Sequence, residues 1–388
     1  MSAPKFTKTI YVPCLRLKAG EYRGLHHLSH DVKDKITPRL VVPPPKDKDP
    51  ELGRPLTLEE IVHLTGKRIG EYWPLREAYL DTRFLFKEFG ETGSGIWLPQ
   101  LFTTARNHNG KVIPVVSLHD ILGSLGAAFP LVAAEGCSSK FALRVESGDI
   151  IDSQFSLHVR NALSRLGVKA DECTLLLDFC DADFADAEIV AEIVRAAFED
   201  VQEVANWGRI VFQGTNYPAT NPAAAGGYTI VPRNEWRAWR SAIKFDKDTS
   251  DHLIFGDYAA DCAKFEFKSG GARAIRHYRI TTEDEWLVVR GAKSGRDQIV
   301  MRDVCQRIVD SGSFAGRTFS SADEYIYQTA QGWNGPGNAM VWRGINTAHH
   351  ITRVVQDIGK VKGMQFASLP VSDPPKQLSI FADEDADK

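Results

Sequence analysis

Short apolar runs alternate with amphipathic segments over the first two thirds of the chain, and this order restricts the possible folds. Eight runs have the length and composition of β-strands. They are residues 10–17, 36–42, 78–86, 111–118, 140–146, 172–179, 209–213 and 252–258. Segments with helical spacing separate them, at residues 19–35, 58–72, 95–107, 119–134, 153–166, 186–207 and 234–243. Because strand–helix–strand units form parallel sheets through right-handed crossovers, the alternation predicts an α/β fold.

Two α/β architectures are compatible with this order. Eight strands within the first 258 residues match a closed (β/α)8 TIM-like barrel, which typically needs about 250 residues. A doubly wound open sheet is the alternative. That fold usually carries a glycine-rich phosphate-binding turn after its first strand, and no such turn follows residues 10–17. We therefore favour the barrel.

The rest of the chain predicts a C-terminal α+β extension followed by a disordered tail. We expect the barrel in residues 1–268, the extension in residues 269–366 and a flexible acidic tail in residues 367–388. In the extension we expect a hairpin (274–281 and 286–291), helices (297–311 and 321–330) and a strand leading into a helix (340–357). The extension either supplies the last barrel helix or covers the barrel mouth. The Gly/Pro/Ala-rich stretch before residue 234 is expected to be a loop.

Composition excludes several classes of protein. A net charge of −3 argues against a general nucleic-acid coat protein, so any such binding needs a local patch. The six cysteines are scattered without zinc-ligand spacing, which favours a reducing compartment and predicts no metal site. The longest apolar stretch, residues 127–134, is too short to span a bilayer, and residues 1–9 do not resemble a signal peptide. We expect a cytoplasmic protein that does not bind membranes, and no cofactor can be assigned.

The candidate site lies at the C-terminal ends of the predicted strands, where barrel enzymes place their working groups. Three carboxylates are candidate catalytic acids or bases: Glu146, Asp178 and Asp257. Five residues are candidates for phosphate or substrate binding: Arg16, Lys18, Arg83, Arg144 and Gln213. Period-two alternation places Arg144 and Glu146 on one strand face, from which Arg144 could pair with Asp178. A purely structural network of arginines and carboxylates is the alternative.

Two further groups of residues have both a functional and a structural interpretation. Tyr278, Arg279 and Arg290 interleave aromatic and basic side chains, which could stack bases and contact phosphates. They could equally form ordinary cross-strand pairs. Adjacent His349 and His350 point apart in any regular element, so we expect buried, hydrogen-bonded histidines in preference to a shared metal site.

Several short motifs resemble the bacteriophage beta-protein family. They are residues 11–21 (YVPCLRLKAGE), 36–38 (ITP), 255–258 (FGDY), 278–281 (YRIT) and 346–351 (NTAHHI). Their order and spacing carry the resemblance, which extends to about residue 355. It implies a barrel fold and a role in phage biology or anti-phage defence, but it implies no particular reaction.

The C-terminal tail contains a short apolar cluster, formed by Gln377, Leu378, Ser379, Ile380 and Phe381. This pentapeptide resembles the motif that binds the bacterial DNA sliding clamp. The cluster lies between a Pro-Pro linker and an acidic end, where a partner's groove could bury it. Folding back onto the barrel is the alternative.

Three hypotheses for function follow from these patterns. The first is a clamp-docking protein whose barrel mouth binds nucleic acid or a nucleotide. The second is a barrel hydrolase or lyase that acts on a phosphorylated small molecule. The third is a non-enzymatic interaction scaffold.

Overall fold

A closed eight-stranded parallel barrel forms the centre of the protein. The computed structural model describes residues 9–45, 48–49, 52–89, 93–180, 182–264 and 275–364. The barrel strands are β1 (Tyr11–Arg16), β2 (Arg39–Val41), β3 (Glu77–Asp81), β4 (Lys111–Ser117), β5 (Phe141–Glu146), β6 (Cys173–Asp178), β7 (Arg209–Gln213) and β9 (Leu253–Asp257). Each pairs in parallel with its neighbours, and β9 closes the ring on β1. The predicted (β/α)8 TIM-like barrel is confirmed, and the open sheet is excluded.

Alternation along the strands separates two apolar layers. Side chains that point into the barrel form a small cluster that includes Val12, Tyr79, Ile113, Leu176 and Val211. The intervening side chains point outward and join the larger core between the barrel and its helices. A residue's position in this alternation therefore decides whether it reaches the barrel interior.

Helices of different lengths pack around the barrel and within the C-terminal part of the chain. They are α1 (Ala19–His26), α2 (His30–Lys33), α3 (Leu58–Tyr72), α4 (Arg83–Phe89), α5 (Ser94–Asn107), α6 (Leu118–Leu122), α7 (Ser147–Ile150), α8 (Phe155–Leu166), α9 (Ala187–Val204), α10 (Asn234–Ala242), α11 (Lys247–His252), α12 (Asp297–Val309), α13 (Ser321–Ala330) and α14 (Ala339–Val361). Thr57 and Glu60 form a capping box at the start of α3.

Two predicted helices and one predicted strand need correction. Residues 19–35 form two helices, because Ser29 caps a new helix at His30. Residues 119–134 form only α6 and two 3-10 turns, Ser124–Ala127 and Phe129–Val132, with Pro130 in the second turn. Strand β3 ends at Asp81 and α4 begins at Arg83, although residues 82–86 had been assigned to the strand.

A second, three-stranded antiparallel sheet lies beside the barrel, in the order β10 (His277–Thr281), β11 (Glu285–Arg290), β8 (Tyr228–Pro232). The predicted hairpin is confirmed as β10 and β11. The predicted loop before residue 234 was wrong in part, because it contains β8, which pairs with β11. Tyr217 and Ala260, which follow β7 and β9, pack with Trp286 of this sheet, so the sheet is anchored to the C-terminal end of the barrel.

Helix α14 closes the outer layer by packing against α1 and β1. Residues 340–357 are helical throughout, so the expected strand at the start of this segment was wrong. Glycines permit the close contact between the two helices. A Cβ on Gly20 would lie 2.6 Å from Arg343 Cβ, and one on Gly24 would lie 2.7 Å from the carbonyl oxygen of Gly344. The N-terminal ends of α1 and α14 thus meet at one edge of the barrel mouth.

Candidate functional site

Buried Arg39 lies at the centre of a charged network inside the barrel mouth. Its Nε and Nη2 atoms donate to Asp81 Oδ2 at 3.1 and 2.7 Å, and its Nη1 donates to Asp178 Oδ2 at 2.9 Å. Nη1 also bonds Gln213 Oε1. Arg39 is 0 % exposed, so burial strengthens these charged contacts and would penalise the loss of any partner. One side chain thereby joins β2, β3, β6 and β7.

Arg144 and Tyr258 extend the network from β5 and from the end of β9. Arg144 pairs with Asp178 at 3.2 Å and with Glu146, which confirms the predicted Arg144–Asp178 pair. The Tyr258 hydroxyl donates to Asp178 Oδ1. Burial alone would raise the pKa of Asp178, but Arg39 and Arg144 lower it to about 2. Asp178 is therefore ionised at neutral pH, with both oxygens hydrogen-bonded. We name Arg39, Asp81, Arg144, Glu146, Asp178, Gln213 and Tyr258 the mouth network.

The hydrogen bonds and ion pairs within the mouth network limit the chemistry that its residues can perform. A carboxylate with a pKa near 2 is a poor proton donor at neutral pH, which favours a structural role for Asp178. Glu146 differs, because 43 % of its side chain is exposed. Arg83 lies at the edge of the network, 3.7 Å from Asp81. The basic and acidic groups of the mouth nearly balance, so they create little excess field for an anion.

Asp257 points away from the barrel interior. Its neighbour Phe255 belongs to the outer core, and the same face of β9 carries Asp257 toward α14. There it accepts hydrogen bonds from the Tyr11 hydroxyl and the Ala259 amide, and its Oδ2 lies 2.8 Å from His350 Nε2. Asp257 is thus separated from Glu146 and Asp178, with which it had been grouped.

His350 links Asp257 to Thr281, but its ring nitrogens are reversed relative to a Ser–His–Asp catalytic triad, in which Nε2 faces the hydroxyl and Nδ1 faces the carboxylate. Its Nδ1 lies 2.8 Å from Thr281 Oγ1, and its Nε2 lies beside Asp257. Burial lowers the pKa of His350 despite the neighbouring carboxylate. His350, Thr281 and Asp257 are all buried, so no substrate can approach the hydroxyl in this conformation. The arrangement connects β9, β10 and α14.

His349 makes a separate set of buried contacts. Its Nδ1 lies 3.0 Å from Asp323 Oδ2 on α13, and its Nε2 lies 3.0 Å from the Thr281 carbonyl oxygen. Burial opposes protonation, but Asp323 outweighs it and raises the pKa of His349. The two histidines therefore occupy separate hydrogen-bonded sites, as expected. In the ranges given above, no cluster of three or more His, Cys, Asp or Glu side chains could hold a metal ion.

A basic cleft of about 300 Å³ lies where the ends of β1, β10, α1 and α14 meet. Its lining carries four cationic side chains and one carboxylate: Arg16, Lys18, Arg279, Arg343 and Glu21. We use the name basic cleft for this cavity. The main-chain starts of α1 (Ala19, Gly20) and α14 (Ala339, Met340) also line it. Because helix N-termini carry partial positive charge, they add to the field of the side chains.

An ion-pair layer separates the basic cleft from the barrel interior. Arg16 contacts Glu21 at 2.9 Å and Asp261 at 2.6 Å, and Arg343 contacts Asp261 at 2.7 Å. Asp261 reaches this position through a strained segment, since Ala259 and Ala260 both have positive φ angles, of 51° and 56°. Non-glycine residues rarely adopt that region, and strain of this kind concentrates at functional sites.

His277 also lines the basic cleft, and its pKa is lowered. Burial is the largest influence on it, and Arg279, Arg290 and Arg343 act in the same direction, lowering its pKa to about 4. His277 is therefore neutral at neutral pH. Arg279 stacks over Tyr217 with its Cζ atom 4.4 Å from the ring centre, and among the described residues its buried Nε has no hydrogen-bond partner.

The predicted site residues fall into separate groups. Arg83, Arg144, Glu146, Asp178 and Gln213 surround the barrel mouth. A second group, Arg16, Lys18, Tyr278 and Arg279, lines the basic cleft. Arg290 bonds the Ala223 carbonyl oxygen and does not line the cleft. The pentapeptide Gln377–Phe381 lies outside the described residues.

Sequence reasoning missed two central arginines. Arg39 is the first residue of the three-residue strand β2, whereas the candidate residues predicted from the sequence lie at the C-terminal ends of strands. A cation before the apolar pair Leu40–Val41 was the available signal, since an arginine in a buried strand requires acidic partners. Arg343 lies on α14, where a strand had been expected, and no local pattern connects it to the cleft.

The fold and the site together define an α/β-barrel protein with a second sheet beside the barrel. At the C-terminal end of the barrel, a basic cleft lies beside the mouth network, in which the basic and acidic groups nearly balance. A family model described as Beta protein matches residues 11–356. The chain therefore belongs to the Beta protein family.

No curated protein matched the sequence. Among the helices of the described residues, none has the length and hydrophobicity that a membrane span requires.

Proposed function

We propose that the protein binds a phosphate-bearing ligand, a nucleotide or a single-stranded nucleic acid, in the basic cleft. One observation carries the proposal: four cationic side chains and one carboxylate surround a concave space of about 300 Å³. Arg16, Arg279 and Arg343 offer planar guanidinium groups, which match the geometry of phosphate oxygens. Hydrogen bonds from the main-chain amides at the helix N-termini would strengthen phosphate binding further.

The position of the cleft supports the same proposal. Barrel proteins often bind phosphate at the C-terminal end of the barrel, near the last strands and the start of a helix. Here the cleft lies beside β1 and the segment after β9, against the start of α14. The charge of the cleft provides the chemical reason for binding at this place in the fold.

The basic cleft is a better anion site than the mouth network. In the mouth, Arg39 and Arg144 already contact Asp81, Glu146 and Asp178. An incoming phosphate would have to displace Asp81 or Asp178, two buried carboxylates whose pKa values lie below the ordinary value. In the cleft, Arg16 and Arg343 are also paired, with Glu21 and Asp261, but the lining carries four cations and one carboxylate, and the buried Nε of Arg279 has no hydrogen-bond partner among the described residues.

Fluorescence anisotropy with a short labelled single-stranded oligonucleotide tests the proposal. Arg279→Gln should weaken binding about ten-fold or more, because one charge-assisted contact contributes about 1.5–3 kcal/mol. Lys360→Met is the matched control, because Lys360 is an exposed cation at the far end of α14. Equal binding by wild type and Arg279→Gln, with both folded by circular dichroism, would argue against the cleft as the site.

A second proposed activity is docking to the bacterial DNA sliding clamp through Gln377, Leu378, Ser379, Ile380 and Phe381. The sequence of this pentapeptide carries it. Burial of Leu378, Ile380 and Phe381 would contribute about 1.5–3 kcal/mol each before ordering costs, which is compatible with micromolar affinity.

Surface plasmon resonance with immobilised clamp and the full chain tests docking. Gln377→Ala/Phe381→Ala should abolish micromolar binding, whereas Ser372→Ala, outside the pentapeptide, should leave it unchanged. Similar affinities for the wild-type protein and the double variant would refute docking through this segment and leave the cleft proposal intact.

A further inference from the structure

We propose that Tyr217 is a positioning residue of the basic cleft: its ring holds the Arg279 guanidinium group in place, and Arg279 is the arginine that contacts the ligand directly. This inference rests on the proposed function and assigns separate roles to residues of the same site. The three arginines that line the cleft differ in the groups that hold them, and this difference supports the assignment.

Carboxylates hold two of these three arginines. Arg16 pairs with Glu21 at 2.9 Å and with Asp261 at 2.6 Å, and Arg343 pairs with the same Asp261 oxygen at 2.7 Å. Burial opposes the ionisation of Asp261, but Arg343 and Arg16 outweigh it and lower its pKa. Arg16 and Arg343 are therefore fixed in the wall of the cleft by charges of the protein itself.

Arg279 is held by an aromatic ring instead. Its Cζ atom lies 4.4 Å from the centre of the Tyr217 ring. Its Nε is buried without a hydrogen-bond partner, and across the part of the chain that the structure describes its side chain forms no ion pair. Because Arg279 lines the cleft, its guanidinium group can offer its charge to an anion there.

Strand alternation brings Arg279 to Tyr217. In β10, Tyr278 and Ile280 belong to the large core, so Arg279 points to the opposite face of the sheet. On that face its cross-strand neighbour, Val288, packs in the same apolar cluster as Tyr217. The stacking contact therefore follows from the register of β10 on β11.

The Tyr217 ring is itself fixed in position. It is buried and packs edge-on against Trp286, with the ring centres 5.2 Å apart. The Tyr217 amide donates to Thr215 Oγ1 at 3.1 Å, and this hydroxyl donates to the Asp261 carbonyl oxygen at 3.0 Å. Thr215 thereby connects the ring that holds Arg279 to the segment whose carboxylate holds the other two arginines. Tyr217 does not line the cleft, so it acts through Arg279.

The unpaired Nε favours a role for Arg279 in binding over a role in the fold alone. A buried donor without a partner lowers the stability of the folded state. Arg39, whose role is structural, has its Nε, Nη1 and Nη2 atoms all hydrogen-bonded. Groups that cost stability are retained where function requires them, and the cleft supplies that function for Arg279.

A double-mutant cycle with a short labelled single-stranded oligonucleotide tests the positioning role by fluorescence anisotropy. Tyr217→Met removes the ring and should weaken binding about three- to five-fold. In the Arg279→Gln background the same change should have less than about a 1.5-fold effect, because no guanidinium group remains to be positioned. The conservative variant Tyr217→Phe keeps the ring and should restore the affinity. The control is Tyr327→Met, which removes a ring under Arg317 outside the cleft and should bind like wild type.

Urea denaturation of Arg279→Met tests the role of Arg279 independently of Tyr217. We expect an unchanged or higher midpoint together with weaker oligonucleotide binding, because the substitution removes an unpaired buried donor. A clearly lower midpoint would assign Arg279 to the fold and overturn the inference.

The outcomes separate this inference from the proposed function. Unchanged binding in Tyr217→Met, or an equal loss in both backgrounds, would overturn the positioning role. If Arg279→Gln still weakened binding, the phosphate-binding proposal would stand. Equal binding by wild type and Arg279→Gln would contradict both. Circular dichroism establishes that each variant is folded, and Tyr217→Leu is the second variant without the ring.

Discussion

Arg39 on β2 and Asp178 on β6 form a 2.9 Å ion pair across the barrel, between strands that are four positions apart in the eight-stranded ring. The pair connects opposite walls through the interior, next to an apolar layer of inward-facing side chains that includes Val12, Ile113 and Leu176. Charges in this environment stabilise the fold only when every partner is present.

Removal of Arg39 should therefore destabilise the protein strongly. Arg39→Met leaves the ionised carboxylates of Asp81 and Asp178 buried without their main cation. We expect the free energy of unfolding to fall by about 3–5 kcal/mol, measured by urea denaturation. Arg54→Met is the control, because Arg54 pairs with Glu60 on the exposed surface and should change the midpoint little. A midpoint for Arg39→Met close to that of the control would contradict the role assigned to Arg39.

Close packing of α1 on α14 should depend on Gly20. A Cβ at this position would lie 2.6 Å from Arg343 Cβ, so Gly20→Ala must displace either helix or Arg343. We expect a loss of about 1–3 kcal/mol in unfolding free energy, together with weaker oligonucleotide binding. The control is Gly95→Ala in α5, where no atom lies within 4 Å of the added Cβ. Unchanged stability and binding in Gly20→Ala would show that the contact is not needed.

His349 should make stability depend on pH in a predictable direction. Asp323 raises its folded-state pKa above the ordinary value of 6.5, so the folded protein binds the proton more tightly than the unfolded chain does. The stabilisation is complete below pH 6.5 and is lost as the pH rises through the folded-state pKa. The difference in urea midpoint between wild type and His349→Gln should thus be larger near pH 6 than near pH 9. A constant difference would contradict this assignment.

Glu235 should lower the stability of the protein as the pH rises, because its pKa is higher in the folded protein than in the unfolded chain. It is buried on α10, accepts a hydrogen bond from the Asn216 amide at 3.0 Å, and burial raises its pKa from 4.5 to about 8. Between these values the unfolded chain releases the proton and the folded protein keeps it, so stability falls as the pH rises. Glu235→Gln should flatten that decline, as measured by thermal denaturation between about pH 5 and pH 8. An identical slope in both proteins would argue against a protonated Glu235.

Much of the fold could be predicted from the sequence because local patterns encode it. The eight barrel strands are short apolar runs between helical segments, and their positions were predicted to within a few residues except at the end of β3, which lies five residues before the predicted end. Strand β8 was not predicted, because its sequence, YTIVP, follows a Gly/Pro/Ala-rich stretch and is stabilised by pairing with β11. The start of α14 was also assigned wrongly, since its β-branched and aromatic residues resemble a strand until tertiary packing determines the helix.

The candidate site was only partly predictable for a different reason. Strand alternation places Arg144 beside Asp178, and that prediction is a local one. The basic cleft, in contrast, brings Arg16 and Lys18 together with Arg279 and Arg343, which lie more than 250 residues later in the chain. Sequence spacing gives no information about such contacts, which depend on how α14 closes the barrel. Asp257 was correctly predicted to lie at the C-terminal end of a strand. The sequence did not show that its side chain points outward to α14 and away from the barrel interior.

The central claim is that the basic cleft binds phosphate, and its most direct test is a titration of the intact protein with a labelled single-stranded oligonucleotide at two salt concentrations. We expect wild type and Lys360→Met to bind alike and both to lose affinity as salt rises. Lys18→Met/Arg279→Gln should bind at least about ten-fold more weakly, with a shallower salt dependence. Equal affinity and equal salt dependence in the folded double variant would contradict the central claim.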